Sequence, residues 1–259
     1  MEDSYEVFKA DIFQLTKIDL NSYKERQMKR RIDTLIGKNG LSQYKAYVDL
    51  IKKDKDKFEE FVNYLTINVS EFYRNPEQWE LLEQSVLPDL FQKFGKRIKI
   101  WSAACSTGDE PYSLVMLMAK FIPLEQVEII ATDIDKQIIE KAKAGLYTDK
   151  SLKGLPKEFV QKYFEKINDK TFAISEAVKS RVRFQQHNLL KDEYPKDCHL
   201  IVCRNVMIYF TEEAKKEIYL NFNRSLKKEG VLFVGSTEQM VQPKALGFSS
   251  MHSFFYKKD

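Results

Sequence analysis

The sequence has no long apolar run, few cysteines and histidines, and little glycine or proline. Apolar stretches such as those at Ile129 and Val231 are far shorter than the ~18 residues a bilayer-spanning helix needs, so an integral membrane protein is not expected. The N-terminal MEDSYEVFKADIF is acidic and mixed, where a secretory leader carries a basic start and a continuous apolar stretch. A cytoplasmic location is therefore expected. Cys105, Cys198 and Cys203 are odd in number and irregularly spaced, which excludes a disulfide framework and points to reduced, mostly buried thiols. His187, His199 and His252 fall at no metal-ligand spacing. Cys198, His199 and Cys203 are close in sequence, but on an apolar strand whose side chains alternate faces, so no metal is expected. With 9 Gly and 7 Pro in 259 residues, and 43% of residues hydrophobic, the chain is neither fibrous nor disordered and can bury one or two cores.

A strong charge imbalance is also missing. The 42 Lys and Arg stand against 38 Asp and Glu, a net charge of +4, too little to imply nucleic acid by itself, and no basic groove interleaved with aromatics is evident. One stretch departs from this. Lys24 to Arg31 (KERQMKRR) carries five cations against one Glu.

The first 75 or so residues show no β-α alternation and read as short amphipathic helices. Met28, Ile32, Leu35 and Ile36 fall at i, i+4, i+7 and i+8, an apolar stripe with Arg26 and Arg30 on the far side. Lys38-Asn39-Gly40 ends that helix, and Ser42 to Ile51 and Phe58 to Leu65 are predicted as two more. Glu77 to Phe94 reads as a linking helix with a break at Pro88, giving domains of 1–75 and 97–259 joined by 76–96. Strand and helix then alternate: strands at Ile98 to Trp101 and Val127 to Thr132, helices at Pro111 to Phe121 and Lys136 to Ala144. This predicts a parallel sheet with right-handed crossovers. A polar, lysine-rich insertion over about 146–181 interrupts the series. The series resumes at Val182 to Gln186 and His199 to Cys203, a helix from Glu212 to Leu226 capped by Thr211, and two last strands at Val231 to Gly235 and Ser253 to Tyr256.

Trp101 to Ser113, WSAACSTGDEPYS, joins the first strand of the sheet to its first helix, where doubly wound folds bind nucleotides. Small residues let a ligand approach the backbone, and Gly108 tolerates angles other residues avoid. The loop lacks G-x-G-x-x-G and the P-loop lysine, which disfavours NAD, FAD and nucleoside triphosphates. By itself it fits an ordinary tight turn as well as a ligand site. The second strand ends in Asp133, placed where an acid can accept both ribose hydroxyls of an adenosyl group, and Glu110 in the loop can pair with an amino group.

At this point the sequence resembles the CheR family of chemotaxis methyltransferases over nearly its whole length. The matching strings are TINVSEFYRNPEQW (Thr66 to Trp79), the loop itself, ATDID (Ala131 to Asp135), NLL (Asn188 to Leu190), CRNVMIYF (Cys203 to Phe210) and GSTE (Gly235 to Glu238). The resemblance implies an α/β fold: a Rossmann-like S-adenosylmethionine methyltransferase sheet, ending in one antiparallel strand, with a small all-α N-terminal domain and an inserted β-subdomain. It implies S-adenosylmethionine as cofactor, leaving as S-adenosylhomocysteine, held by Asn68, Ser70, Arg74, Glu110, Asp133, Asn188, Leu189, Arg204 and Asn205. By their residue types alone, Asn68, Ser70 and Arg74 also read as a helix boundary, and Asn205 and Tyr209 as a strand end entering a turn.

The resemblance further implies that the acceptors are glutamate side chains in the cytoplasmic helical domain of chemotaxis receptors, with the enzyme recruited to membrane receptor arrays. A methyltransferase with another acceptor and a non-catalytic receptor-binding homologue are the alternatives. A glutamate with pKa about 4.3 is ionised at pH 7, so in-line methyl transfer needs no general base, only positioning. Arg74 and Tyr209 are the residues expected to steer the acceptor. Arg26, Lys29 and Arg30 are expected to dock the receptor. Some members grip a receptor peptide through glycine-containing turns of the β-subdomain, but EKINDKTFAISEAVKSR, from Glu165, has no glycine. The helical domain is therefore the expected docking surface.

Overall fold

A computed structural model of the chain describes residues 4–259. The chain partitions into two compact units, residues 4–68 with 206–217, and residues 69–205 with 218–259. The composition drew the first boundary near 75; by packing, the segment from Val69 to Asn75 belongs to the larger unit.

The smaller unit is built on α1 (Tyr5–Thr16), α2 (Glu25–Lys38), α3 (Tyr44–Lys53) and α4 (Lys55–Thr66). The α2 stripe is buried as its spacing requires, with Met28, Ile32, Leu35 and Ile36 each at most 3% exposed. Phe61 of α4 meets Phe8 of α1 and Tyr47 of α3 edge-on, at 6.2 and 5.8 Å between ring centres. The stop signal after α2 works through Gly40, at φ 71°. Residues 206–217 join this unit through Lys24 N–H donating to the Tyr209 carbonyl and through the Tyr23 and Phe210 rings.

The larger unit carries a seven-stranded sheet. Its strands are β1 (Ile100–Ala103), β2 (Ile129–Asp133), β6 (Val182–Gln186), β7 (Cys198–Cys203), β8 (Leu226–Val234), β9 (Phe248–His252) and β10 (Phe255–Lys258). The order is β6-β2-β1-β7-β8-β10-β9. The first five are parallel, with Ile100 opposite Ile129 on one side of β1 and Leu200 on the other. The antiparallel strand β10 lies inside the sheet, between β8 and the edge strand β9. Only two closing strands were predicted; β9, with its serines and half-exposed pattern, lacks an apolar run. The insertion forms a second sheet from β3 (Leu146–Thr148), β4 (Phe164–Lys166) and β5 (Thr171–Ile174), in the order β3-β5-β4.

No break occurs at Pro88. The helix runs from Pro76 to Phe94 because one wide turn, Leu82–Val86, interrupts the α pattern just before the proline, and Leu87 N–H donates five residues back to Leu82. A proline supplies no N–H, and a widened turn absorbs the missing bond. Among the described residues no helix is long and apolar enough to cross a membrane.

Candidate active site

Four parallel strands, β6, β2, β1 and β7, deliver their carboxyl ends side by side, the edge at which open α/β sheets bind ligands. After β1 the chain turns through Ala104, Ser106 and Gly108, all left-handed at φ 58°, 49° and 88°. Two of these are not glycine, and each costs on the order of 1 kcal/mol of backbone strain. Asp133 at the end of β2 compensates, its carboxylate accepting the Ser106 N–H at 2.8 Å and the Asp135 N–H at 3.0 Å. Gly108 has the backbone angle expected of it, and crowding by its neighbours adds a second reason for glycine. A side chain there would meet Ala142 and the Tyr112 ring at 3.0 Å and the Tyr147 hydroxyl at 3.2 Å. Tyr147, from the inserted sheet, also donates its O–H to the Thr107 carbonyl at 2.7 Å, tying the insertion to the loop.

Glu110 opens the first helix, Asp109–Met118. One of its carboxylate oxygens accepts the Ser102 hydroxyl at 2.8 Å, and the other lies 3.9 Å from Arg204 Nη1. Burial pushes its pKa up to about 7, against the opposing pull of Arg204. Asp133 is likewise raised by burial, to about 6. Arg204, at the end of β7, donates through Nη2 to the Arg74 carbonyl at 2.6 Å and the Gln78 side chain at 3.0 Å, and burial lowers its pKa. It thereby pins the segment that carries Ser70 and Arg74.

Ser70, Arg74, Ser106, Glu110, Arg204 and Asn205 line one crevice. Asp133 borders it through Ser106. Asn188 and Leu189 follow β6 on the same edge, next to Asp133, whose carbonyl accepts the His187 N–H. The Asn188 side chain is spent on a local turn, accepting the Leu190 N–H at 2.9 Å. Asn68 and Tyr209 belong to the smaller unit, where Asn68 donates to the Thr66 hydroxyl at 2.9 Å and Tyr209 ends the short helix Met207–Tyr209. Arg26 and Arg30 are exposed on α2. Lys29 is not free in the same way: it pairs with Asp33 at 3.0 Å and lies 5.7 and 5.6 Å from the centres of the Tyr5 and Tyr44 rings.

The crevice fits an adenosyl sulfonium. Two buried polar atoms of residues that line it, Ser106 Oγ and Arg204 Nε, have no hydrogen-bond partner among the described residues, and the buried Glu110 carboxylate would suit the amino group such a cofactor brings. Sequence reasoning passed over Glu238, buried at 5% exposure, whose carboxylate accepts the Asn205 N–H at 2.6 Å and the Gly235 N–H at 2.8 Å. GSTE was visible as a motif, but its contact with Asn205 spans 33 residues.

The five-strand parallel run, the reversed β10 inside the sheet and a crevice with buried acids, formed by a loop without a phosphate-binding glycine fingerprint, fit an S-adenosylmethionine-dependent methyltransferase. The chain belongs to the CheR methyltransferase family: residues 68–255 match its SAM binding domain and residues 3–66 its all-alpha domain. A chemotaxis protein methyltransferase of Listeria monocytogenes is 39% identical over 258 residues, covering 100% of this chain and 98% of the relative. Chemotaxis protein methyltransferase 1 of Pseudomonas aeruginosa is 35% identical, covering 91% and 90%. The Escherichia coli chemotaxis protein methyltransferase is 31% identical, covering 88% and 81%.

Proposed function

We propose that this methyltransferase esterifies glutamate side chains of chemotaxis receptors, giving glutamyl methyl esters and S-adenosylhomocysteine. The observation that carries this reading is Arg74. Arg74 lines the crevice, its charge reaches Glu110, and among the described residues its side chain makes no hydrogen bond or ion pair, whereas the neighbouring Arg204 is committed to the Arg74 carbonyl and Gln78. A planar guanidinium matches a carboxylate, and an acceptor already ionised at neutral pH requires no base.

The cofactor supplies an electrophilic methyl group. In this reading Glu110 takes its amino group, Asp133 its ribose hydroxyls, and Asn68, Ser70, Asn188, Leu189, Arg204 and Asn205 the remaining contacts, while Arg74 and Tyr209 aim the acceptor. The N-terminal helical domain, drawn at 1–75 from the sequence, docks the receptor's cytoplasmic helical domain through its helices before Val69; 76–96 link and 97–259 catalyse together with Ser70 and Arg74, with 146–181 as the inserted subdomain. Docking rests on Arg26 and Arg30 more than on Lys29, which its own helix and Tyr44 hold. The enzyme works in the cytoplasm, recruited to receptor arrays.

Labelled methyl transfer from S-adenosylmethionine to receptor-bearing membranes, followed by base, tests the reading. Carboxyl esters release volatile methanol; base-stable label would indicate another acceptor, and absence of label a non-catalytic homologue. Arg74→Ala and Tyr209→Phe at wild-type turnover would remove both from the acceptor site.

A further inference from the structure

Glu238 stands in the loop after β8, yet its side chain turns back into the sheet edge. Through one oxygen it accepts two backbone N–H groups, from Asn205 after β7 and Gly235 after β8, so it joins the ends of two neighbouring strands. Asn205 sits at φ 60°, a left-handed conformation that asparagine adopts more readily than other residues with a side chain and that the Glu238 bond to its N–H holds in place. Gly235 supplies the room: a side chain there would come within 2.4 Å of the Glu238 carboxylate and 2.8 Å of the Asn205 nitrogen. The Glu238 carbonyl is held in turn by the Tyr219 hydroxyl at 3.1 Å. A buried acid with charge-assisted bonds to a crevice-lining residue is costly to keep unless its placement matters.

We propose that Glu238 is a positioning residue for the cofactor: it fixes Asn205 in its left-handed conformation and so presents the Asn205 side chain to the crevice. This rests on the reading of Asn205 as a cofactor contact. Because Glu238 acts through Asn205, its loss acts on cofactor affinity before it acts on the rate at saturation.

The test measures S-adenosylhomocysteine affinity by calorimetry on the full chain, together with kcat at saturating S-adenosylmethionine and the melting temperature. Glu238→Ala leaves two N–H groups unpaired and should raise Kd roughly tenfold or more. Glu238→Gln keeps an accepting oxygen without the charge, and should raise it about threefold with kcat within about twofold of wild type. Asn205→Ala should weaken binding as well. Should Asn205→Ala bind as wild type, the cofactor reading of Asn205 fails and the proposal with it. If Asn205→Ala weakens binding while a folded Glu238→Ala binds normally, the proposal alone is overturned. Where Glu238→Ala does not fold, Glu238→Gln decides, and an unchanged Kd overturns the proposal.

Discussion

Arg204 and Arg30 carry the same charge in two regions of the molecule that use charge in opposite ways. At the carboxyl edge of the sheet Arg204 is 8% exposed, shares its field with Glu110, and holds another segment's carbonyl. On α2, Arg30 is exposed, and among the described residues its guanidinium has no side-chain partner. Buried charges are costly to remove because each leaves an unsatisfied partner; exposed ones are screened and matter chiefly to an incoming surface. The edge of the sheet is therefore built to hold a small ligand in a fixed pose. The helix is suited to steering a large one.

The largest expected effect comes from breaking the buried side. Arg204→Ala strands Glu110 without its cation and frees the Arg74 carbonyl, a loss of about 3–5 kcal/mol of stability measured by denaturant unfolding, with cofactor binding lost. Glu110→Gln removes a titration from the same pair. Its folded pKa of about 7 lies above the ordinary carboxylate value, so the stability it contributes is present in acid and lost as pH rises through about 7. Wild type should therefore lose melting temperature between about pH 5 and pH 8, by calorimetry, and Glu110→Gln should show no such pH-dependent loss. On the exposed side, Arg26→Glu with Arg30→Glu should raise the KM for receptor about five- to tenfold at low salt, an effect that fades as salt increases, with cofactor affinity unchanged. Lys29→Ala should be smallest, shifting receptor KM by less than about twofold, since the lysine is held by Asp33 and two tyrosines. A large Lys29 effect would collapse the distinction drawn within α2.

Much of this was legible in the residues. The α2 stripe, the helix Lys136–Ala144 and the strand Val182–Gln186 follow directly from periodicity and caps, because each is decided by neighbours in sequence. The loop after β1 and Asp133 could be singled out because each ends a strand whose pattern is local. What was not legible depends on partners distant in sequence. Ser106 adopts left-handed backbone with its N–H held by Asp133, 27 residues further on. Gly108 was legible as a position of unusual backbone, at φ 88°, but not that Tyr112, Ala142 and Tyr147 crowd it. Glu238 read as the tail of a motif, since nothing local announces that a carboxylate will reach the end of another strand. Pro88 signalled a break that a single wide turn absorbs.

The most direct test of the buried edge as the cofactor site is S-adenosylmethionine affinity measured from about pH 5.5 to 8.5 for wild type and Glu110→Gln. With Glu110 titrating at about 7, wild-type affinity should fall as pH drops below that value. Glu110→Gln should bind at least about thirtyfold more weakly at pH 8 and show no such limb. A variant that binds as tightly as wild type, or wild-type affinity that is flat across the range, would contradict the account.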